Sequence, residues 1–66
     1  MIFEIFEVFN AENKRLFFTT DPKCVPPKKE IEILINGGHK VKVNDKILYK
    51  KNIDEFLKNI KTKETK

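Results

Sequence analysis

The amino-acid sequence predicts a single small α+β domain with the element order ββαββα. Two segments are rich in alternating apolar residues and each is interrupted by a polar turn, which indicates two β-hairpins. The last part of the chain instead spaces its apolar residues as an amphipathic helix does. A chain of 66 residues suits one domain. We place that domain at residues 1–61 and a frayed tail at residues 62–66.

The first hairpin holds five of the six phenylalanines, all within the first eighteen residues. A polar stretch at residues 10–14 separates its two apolar strands. Pairing Phe9 with Arg15 across this stretch aligns Val8 with Leu16 and gives the hairpin two apolar faces. The first predicted face carries Ile2, Phe6, Val8, Leu16 and Phe18. The second predicted face carries Phe3, Ile5, Phe9 and Phe17, with Glu7 and Arg15 as its polar members.

The middle segment, residues 28–38, fits two interpretations. As a helix it has Pro27 at its first position and stops at Gly37, with apolar residues three and four apart on one side. As a strand it alternates and ends in an Asn36-Gly37 hairpin turn, which would give a five-stranded small β-barrel with one C-terminal helix. We favour the helix because its proline start and glycine stop agree in spacing.

The second predicted hairpin covers residues 39–51. A three-residue loop at 44–46 aligns Val43 with Ile47 and separates an apolar face from a basic one. A two-residue turn would place Val43 opposite Lys46 and mix the two faces, so we favour the longer loop. The basic face then carries Lys40, Lys42, Leu48 and Lys50.

The last element is an amphipathic helix. Asn52 can cap its start, and Glu55 completes a capping box. The apolar residues that follow have the spacing of a core-facing stripe. This stripe consists of Ile53, Phe56, Leu57 and Ile60.

The composition offers no catalytic or metal-binding set. Serine is absent, and the single Cys24 and single His39 are not spaced as a nucleophile and its base. These two residues are also too few for a zinc site, which needs three or four protein ligands. We therefore predict a protein that is not an enzyme, has no metal or cofactor, and acts on no small-molecule substrate.

The sequence also predicts where the protein resides. Its longest apolar stretches are far shorter than the ~20 residues that span a bilayer. Its first residues include Glu4 and Glu7 and no basic residue, unlike a signal peptide. One unpaired cysteine suits a reducing compartment. These features predict a cytoplasmic protein without a membrane partner.

The second face of the first hairpin is the strongest functional signal. A domain of this size has little with which to cover two apolar faces, and exposed aromatic patches are typical of interaction sites. We therefore predict a protein-interaction module that binds a protein partner, or a second copy of itself in a homodimer. The predicted partner-binding residues are Phe3, Ile5, Phe9 and Phe17.

The chain also resembles the short reading frames of bacterial phages and mobile elements. The resemblance rests on its length, its leading hairpin, its many lysines and the run Gly-Gly-His-Lys-Val-Lys-Val-Asn-Asp-Lys at residues 37–46. It implies a small stoichiometric binder or inhibitor of a host protein, and no site residue follows from it.

The alternative hypothesis is a small basic nucleic-acid-binding module. The net charge is +4, and lysines are concentrated in the second hairpin. A two-stranded ribbon with a row of lysines can lie against phosphates. Arginine, which reads phosphates and bases better, occurs once. The candidate nucleic-acid-binding residues are Lys40, Lys42, Lys46, Lys50 and Lys51.

Overall fold

The computed structural model describes residues 2–64, with side chains as far as Ile60. Single 3₁₀ turns at Pro22–Cys24 and Lys50–Asn52 precede the two helices. The α+β prediction is confirmed. The helices and strands are, in chain order, β1 (Phe6–Phe9), β2 (Arg15–Thr19), α1 (Lys28–Asn36), β3 (Lys40–Val43), β4 (Lys46–Ile47) and α2 (Ile53–Glu64).

The four strands form one open antiparallel sheet in the order β2-β1-β3-β4. The first strand therefore lies between its own hairpin partner and the first strand of the second hairpin. Because the sheet is open and the middle segment is helical, the alternative prediction of a closed five-stranded barrel is wrong. In the described part of the chain, β2 and β4 each have one strand as neighbour.

Both helices pack against the same face of this sheet. Alternate residues of β1 and β3 join residues of α1 and α2 in one buried cluster. We call this side of the sheet the helix face and the opposite side the open face. The buried cluster consists of Phe6, Val8, Ile31, Val41, Val43, Leu48, Ile53, Phe56 and Ile60.

The middle segment is helical, as we favoured. Pro27 occupies the N-cap position and has no N–H group to leave unpaired. At the other end Gly38 has a φ of 93°, a conformation that favours glycine. The N–H of His39 donates to the Leu34 carbonyl at 3.0 Å, and that of Gly38 to the Ile35 carbonyl at 3.1 Å. This Schellman motif ends α1, and its left-handed residue lies one position later than predicted.

A β-bulge shifts the register of the first hairpin. The predicted pair of Phe9 with Arg15 is confirmed, but Val8 pairs with Phe17 rather than with Leu16. Leu16 is therefore the extra residue of the bulge. Because side chains alternate between faces, one inserted residue moves the rest of β2 to the face opposite the predicted one.

The bulge places two phenylalanines on faces other than those predicted. The ring of Phe17 lies on the helix face, where its centroid is 6.3 Å from that of Phe6. Phe18 pairs with Glu7, so it lies on the open face. The prediction that Phe18 shares a face with Phe6 is therefore wrong.

The second hairpin turns through two residues, so the predicted three-residue loop is wrong. Asn44 and Asp45 have positive φ values of 52° and 69°, as a type I′ turn requires. Val43 pairs with Lys46, which is the arrangement that mixes apolar and basic residues. The mixing costs little because β4 is a two-residue edge strand with little surface to bury.

Contacts of Asn44 with the start of the chain explain the short turn. Its side-chain Oδ1 accepts the N–H groups of Glu4 and Ile5, at 2.8 and 3.1 Å. Its Nδ2 donates to the Ile2 carbonyl at 2.7 Å. Both contacts need the left-handed turn geometry that aims this side chain at the segment before β1. A tertiary contact thus selects the turn, and the local pattern does not.

The C-terminal helix packs through the stripe that its spacing predicts. Within residues 2–64, no helix is both long enough and apolar enough to cross a membrane. α2 extends to Glu64 and so includes part of the predicted tail at 62–66, whose last two residues lie outside the described chain. The stripe residues in or against the core are Ile53, Phe56, Leu57 and Ile60.

Candidate functional site

An apolar groove lies between the edge strand β2 and helix α1. Its volume is about 250 Å³. Leu16 and Phe17 line its strand side and remain 53% and 41% exposed. Pro26 and Leu34 line its helix side, together with the carboxylate-bearing Glu30. We call this the β2–α1 groove; Val8 of β1 also lines it.

The bulge creates this groove. In a regular strand, consecutive residues point to opposite faces, so Leu16 and Phe17 would be separated by the sheet. With Leu16 as the inserted residue, both side chains line the same groove on the helix side. The helices bury Phe6 and Val8. They leave Leu16 and Phe17 about half-exposed. An edge strand therefore carries exposed apolar surface that its own chain does not bury.

The open face carries a second exposed surface, arranged in two rows. Strand pairing brings two phenylalanines, three basic residues, one carboxylate and one isoleucine onto this face. Both rows lie on the side of the sheet away from the helices. The first row, from β2 to β4, is Phe18, Glu7, Lys42 and Ile47, and the second is Arg15, Phe9 and Lys40.

Contacts within the open face hold its charges against its rings. The guanidinium carbon of Arg15 lies 4.3 Å from the centroid of Phe18, and its Nη1 donates to Glu7 Oε2 at 3.0 Å. Lys42 Nζ lies 5.1 Å from the centroid of Phe9. Both distances are within the range of cation–π attraction. Glu7 is 8% exposed, and its ion pair with Arg15 satisfies one of its oxygens.

The structure does not bring the four predicted partner-binding residues onto one face, and that part of the prediction is corrected. Phe3 packs on the helix side, with its centroid 6.2 Å from that of Phe56. Phe17 lies in the β2–α1 groove, whereas Phe9 lies on the open face. Ile5 is half-buried just before β1. Whether any of them contacts a partner stays a prediction.

The residues that sequence reasoning missed are Leu16 and Phe18. Both had been placed on the same face as Phe6 and Val8, which are buried, and both are half-exposed. The signal was present as three consecutive large apolar residues, Leu16 to Phe18, in a strand that should alternate. Such a run either buries both faces of a strand or marks an irregularity such as a bulge.

The five candidate lysines do not form one row. Lys40 and Lys42 lie side by side on the open face, where Lys40 Nζ also donates to Asn13 Oδ1 at 2.7 Å. Lys46 lines a separate cleft between β4 and α2. The predicted alignment of Lys50 with the first two is wrong, because β4 ends at Ile47. Lys50 instead contacts Asn36 at 3.3 Å, and Lys51 lies exposed in the same 3₁₀ turn.

The described residues include no cluster of three or more His, Cys, Asp or Glu side chains that could hold a metal ion. Cys24 is an exposed thiol whose Sγ is 3.8 Å from Asp21 Oδ2. The prediction that the protein is not an enzyme stays a prediction.

Comparison with protein families, curated proteins and solved structures finds no match to this chain. Fold and surface chemistry therefore carry the functional argument alone. They define a small α+β domain with two exposed apolar or aromatic surfaces, one on the helix side and one on the open face.

Proposed function

We propose that this protein is a non-enzymatic protein-interaction module that binds a second copy of itself through the β2–α1 groove. The observation that carries the proposal is the joint exposure of Leu16 and Phe17 beside α1. Two adjacent large apolar side chains, half-exposed in a concave surface, favour association because burial removes them from water. Complete burial of one such side chain contributes about 1.5 to 3 kcal/mol, and about half of that remains to be gained here because each residue is already half-buried.

A second copy is the favoured occupant for two reasons. The groove lies beside the free edge of β2, so the two surfaces are continuous and a partner can cover both. The groove also carries Glu30 on its helix side, while Lys14 directly precedes its strand side. In a two-fold interface every contact occurs twice, so Glu30 of each copy can pair with Lys14 of the other.

The bulge favours packing of side chains in the groove over strand-to-strand pairing at the edge of β2. A long, regular edge strand would favour pairing of strand to strand, but bulges and edge charges disfavour such pairing. β2 has both, with Leu16 as the inserted residue and Arg15 before it. The proposed dimer is therefore held by side chains in the groove and not by an extended β-ladder. The host-inhibitor role implied by the phage resemblance remains a prediction.

Light scattering coupled to size exclusion tests this proposal over a range of protein concentrations. We expect a dimer whose population rises with concentration and persists at moderate salt, because apolar contacts are not screened. Leu16→Glu should weaken the association by at least about tenfold, since it places a charge where an apolar side chain is buried.

Tyr49→Glu provides the matched control. Tyr49 is 60% exposed and lies beyond β4, at the opposite end of the sheet from the groove. The control should leave both the dimer and the circular dichroism spectrum unchanged. A wild-type protein that stays monomeric at all concentrations would contradict the proposal, as would a folded Leu16→Glu variant with unchanged association.

A further inference from the structure

The open face has features that the proposed dimer does not use. Phe18 is 52% exposed, although phenylalanine side chains are usually buried. The groove lies on the helix side of the sheet, so covering it leaves the exposed Phe18 and the half-buried Phe9 uncovered. Each of these rings has a cation at its face, Arg15 for Phe18 and Lys42 for Phe9.

We propose that the open face binds single-stranded nucleic acid. Bases would stack on the planar groups of Phe18, Arg15 and Phe9. Phosphates would lie against Lys40 and Lys42. Aromatic rings interleaved with cations form the surface that single strands require, because every base has a π-face and every linkage has a negative charge.

The placement of the two rings suits stacking. Phe18 pairs with Glu7, and Phe9 is two residues along from Glu7 on the same face. The rings are therefore diagonal neighbours, a relation in which side chains lie roughly 7 to 8 Å apart. The Arg15 guanidinium that covers one side of Phe18 is itself planar and can stack with a base. Two adjacent stacking positions are thus available on neighbouring strands.

The charge of the face fits a polyanion. Arg15, Lys40 and Lys42 bring three positive charges, and Glu7 brings one negative charge. The Glu7 carboxylate is 8% exposed and is paired with Arg15, so it presents little negative surface to a ligand. Lys40 and Lys42 occupy alternate positions of one strand and can follow a single phosphate backbone.

The same features favour a single strand over a duplex or an acidic peptide. In a duplex the base faces are stacked inside and cannot reach Phe18 or Phe9. A duplex groove is read by a protruding helix or ribbon and by arginine, whereas this surface is a sheet face with one arginine. An acidic peptide could pair with the lysines but has no flat groups to occupy the exposed rings.

Fluorescence anisotropy with labelled oligonucleotides of about 15 nucleotides tests the proposal. The probes are oligothymidine and oligouridine, which separate DNA from RNA, and a DNA duplex of equal length. We expect the single strands to bind and the duplex to bind more weakly. The affinity should fall with salt with a log–log slope of about −1.4, since the two lysines that contact phosphates each contribute about 0.7 for single strands.

Two pairs of variants separate stacking from unspecific charge. Phe18→Ala should weaken single-strand binding by about fivefold or more, while Tyr49→Ala, which removes an equally exposed ring elsewhere, should not. Lys42→Gln should weaken binding and reduce the salt slope by about 0.7. Lys51→Gln makes the same charge change in the 3₁₀ turn before α2 and should leave the slope unchanged.

Three results would overturn the proposal. The first is no binding of either single strand at about 50 mM salt, where phosphate contacts are strong. The second is binding that Phe18→Ala does not change, because the surface would then attract any polyanion. The third is equal loss in Lys42→Gln and Lys51→Gln. These results do not test the proposed dimer. The dimer is tested separately, by light scattering of the Leu16→Glu variant in the absence of nucleic acid.

Discussion

The two faces of the sheet are formed by the same strands but differ in how far their side chains are buried. On the helix face, the side chains of Phe6, Val8, Val41 and Val43 are at most 7% exposed. On the open face, Phe18 is half-exposed, and each of the two rings has a cation near its face. The difference arises because both helices lie on one side of the sheet. The two rings on the other side contact neighbouring cations and are only partly buried.

This contrast shows that an apolar side chain in a strand does not by itself define a core. Phe6 and Phe18 belong to adjacent strands of one hairpin, yet only Phe6 has helical residues above it, with Phe56 stacked at 6.1 Å. Phe18 has a guanidinium at 4.3 Å instead. The first environment contributes to folding, whereas the second leaves a surface that can exchange its cation contact for a ligand.

The largest expected effect distinguishes the two phenylalanines. Phe6→Ala should lower the free energy of unfolding by about 3 to 5 kcal/mol because it leaves a cavity at a fully buried site. Phe18→Ala should lower it by only about 1 to 2 kcal/mol, because it loses one exposed cation–π contact and a ring that is already half-exposed. Urea unfolding of both variants measures the difference. Equal losses would mean that the open face is covered in solution.

The next largest loss of stability is expected at the turn of the second hairpin. Asn44→Ala should cost about 2 to 3 kcal/mol, since it removes three hydrogen bonds to residues 2–5 at a left-handed position. Asp45→Ala is the matched control, because Asp45 has a similar positive φ but an exposed side chain. Thermal unfolding should show the larger loss for Asn44. A larger loss for Asp45 would mean that turn strain, and not the contacts to the first residues, governs stability.

The smallest expected effect on stability comes from an ion pair between the two helices that cover the helix face. Lys28 at the start of α1 lies 3.0 Å from Asp54 at the start of α2. The hydrogen bond to Asp54, and secondarily its charge, raise the pKa of Lys28 above its usual value of 10.5. A raised lysine pKa means that the pair stabilises the fold below about pH 10.5 and that this contribution is lost as pH rises through the folded-state pKa.

Both partners of this pair are exposed, so its contribution is screened by water and salt. Asp54→Asn should therefore lower the melting temperature only slightly at neutral pH, and the difference from the wild type should vanish in strongly alkaline buffer. A large loss at neutral pH would show that the pair fixes how the helices cover the sheet.

Local patterns in the sequence predicted most of the fold. The spacing of Pro27 and the paired glycines marked α1, and the stripe from Ile53 to Ile60 marked α2, because helix periodicity and end signals act within a few residues. Alternation placed Phe6 and Val8 on one face of the first strand, and both are buried. These features depend on neighbours in the chain, so no tertiary information was needed.

The errors arose where distant contacts overrode a local pattern. The turn at Asn44 is set by hydrogen bonds to residues 2–5, which are about forty positions away in sequence. The bulge at Leu16 had a signal in the apolar run from Leu16 to Phe18, but that run does not say which residue is inserted or which side chains face the helices. A shift of one residue was enough to exchange the faces of Phe17 and Phe18. The candidate surfaces changed with it, because surface composition depends on register more than secondary structure does.

The most direct test of this account is the solvent accessibility of the six phenylalanine rings, measured by NMR with a soluble paramagnetic agent in dilute protein. The ring of Phe18 should be strongly relaxed, and those of Phe6 and Phe56 should be protected. A Phe18 ring as protected as that of Phe6 would contradict the account. It would mean that the hairpin has the register without the bulge, and the open face would then lose its exposed ring.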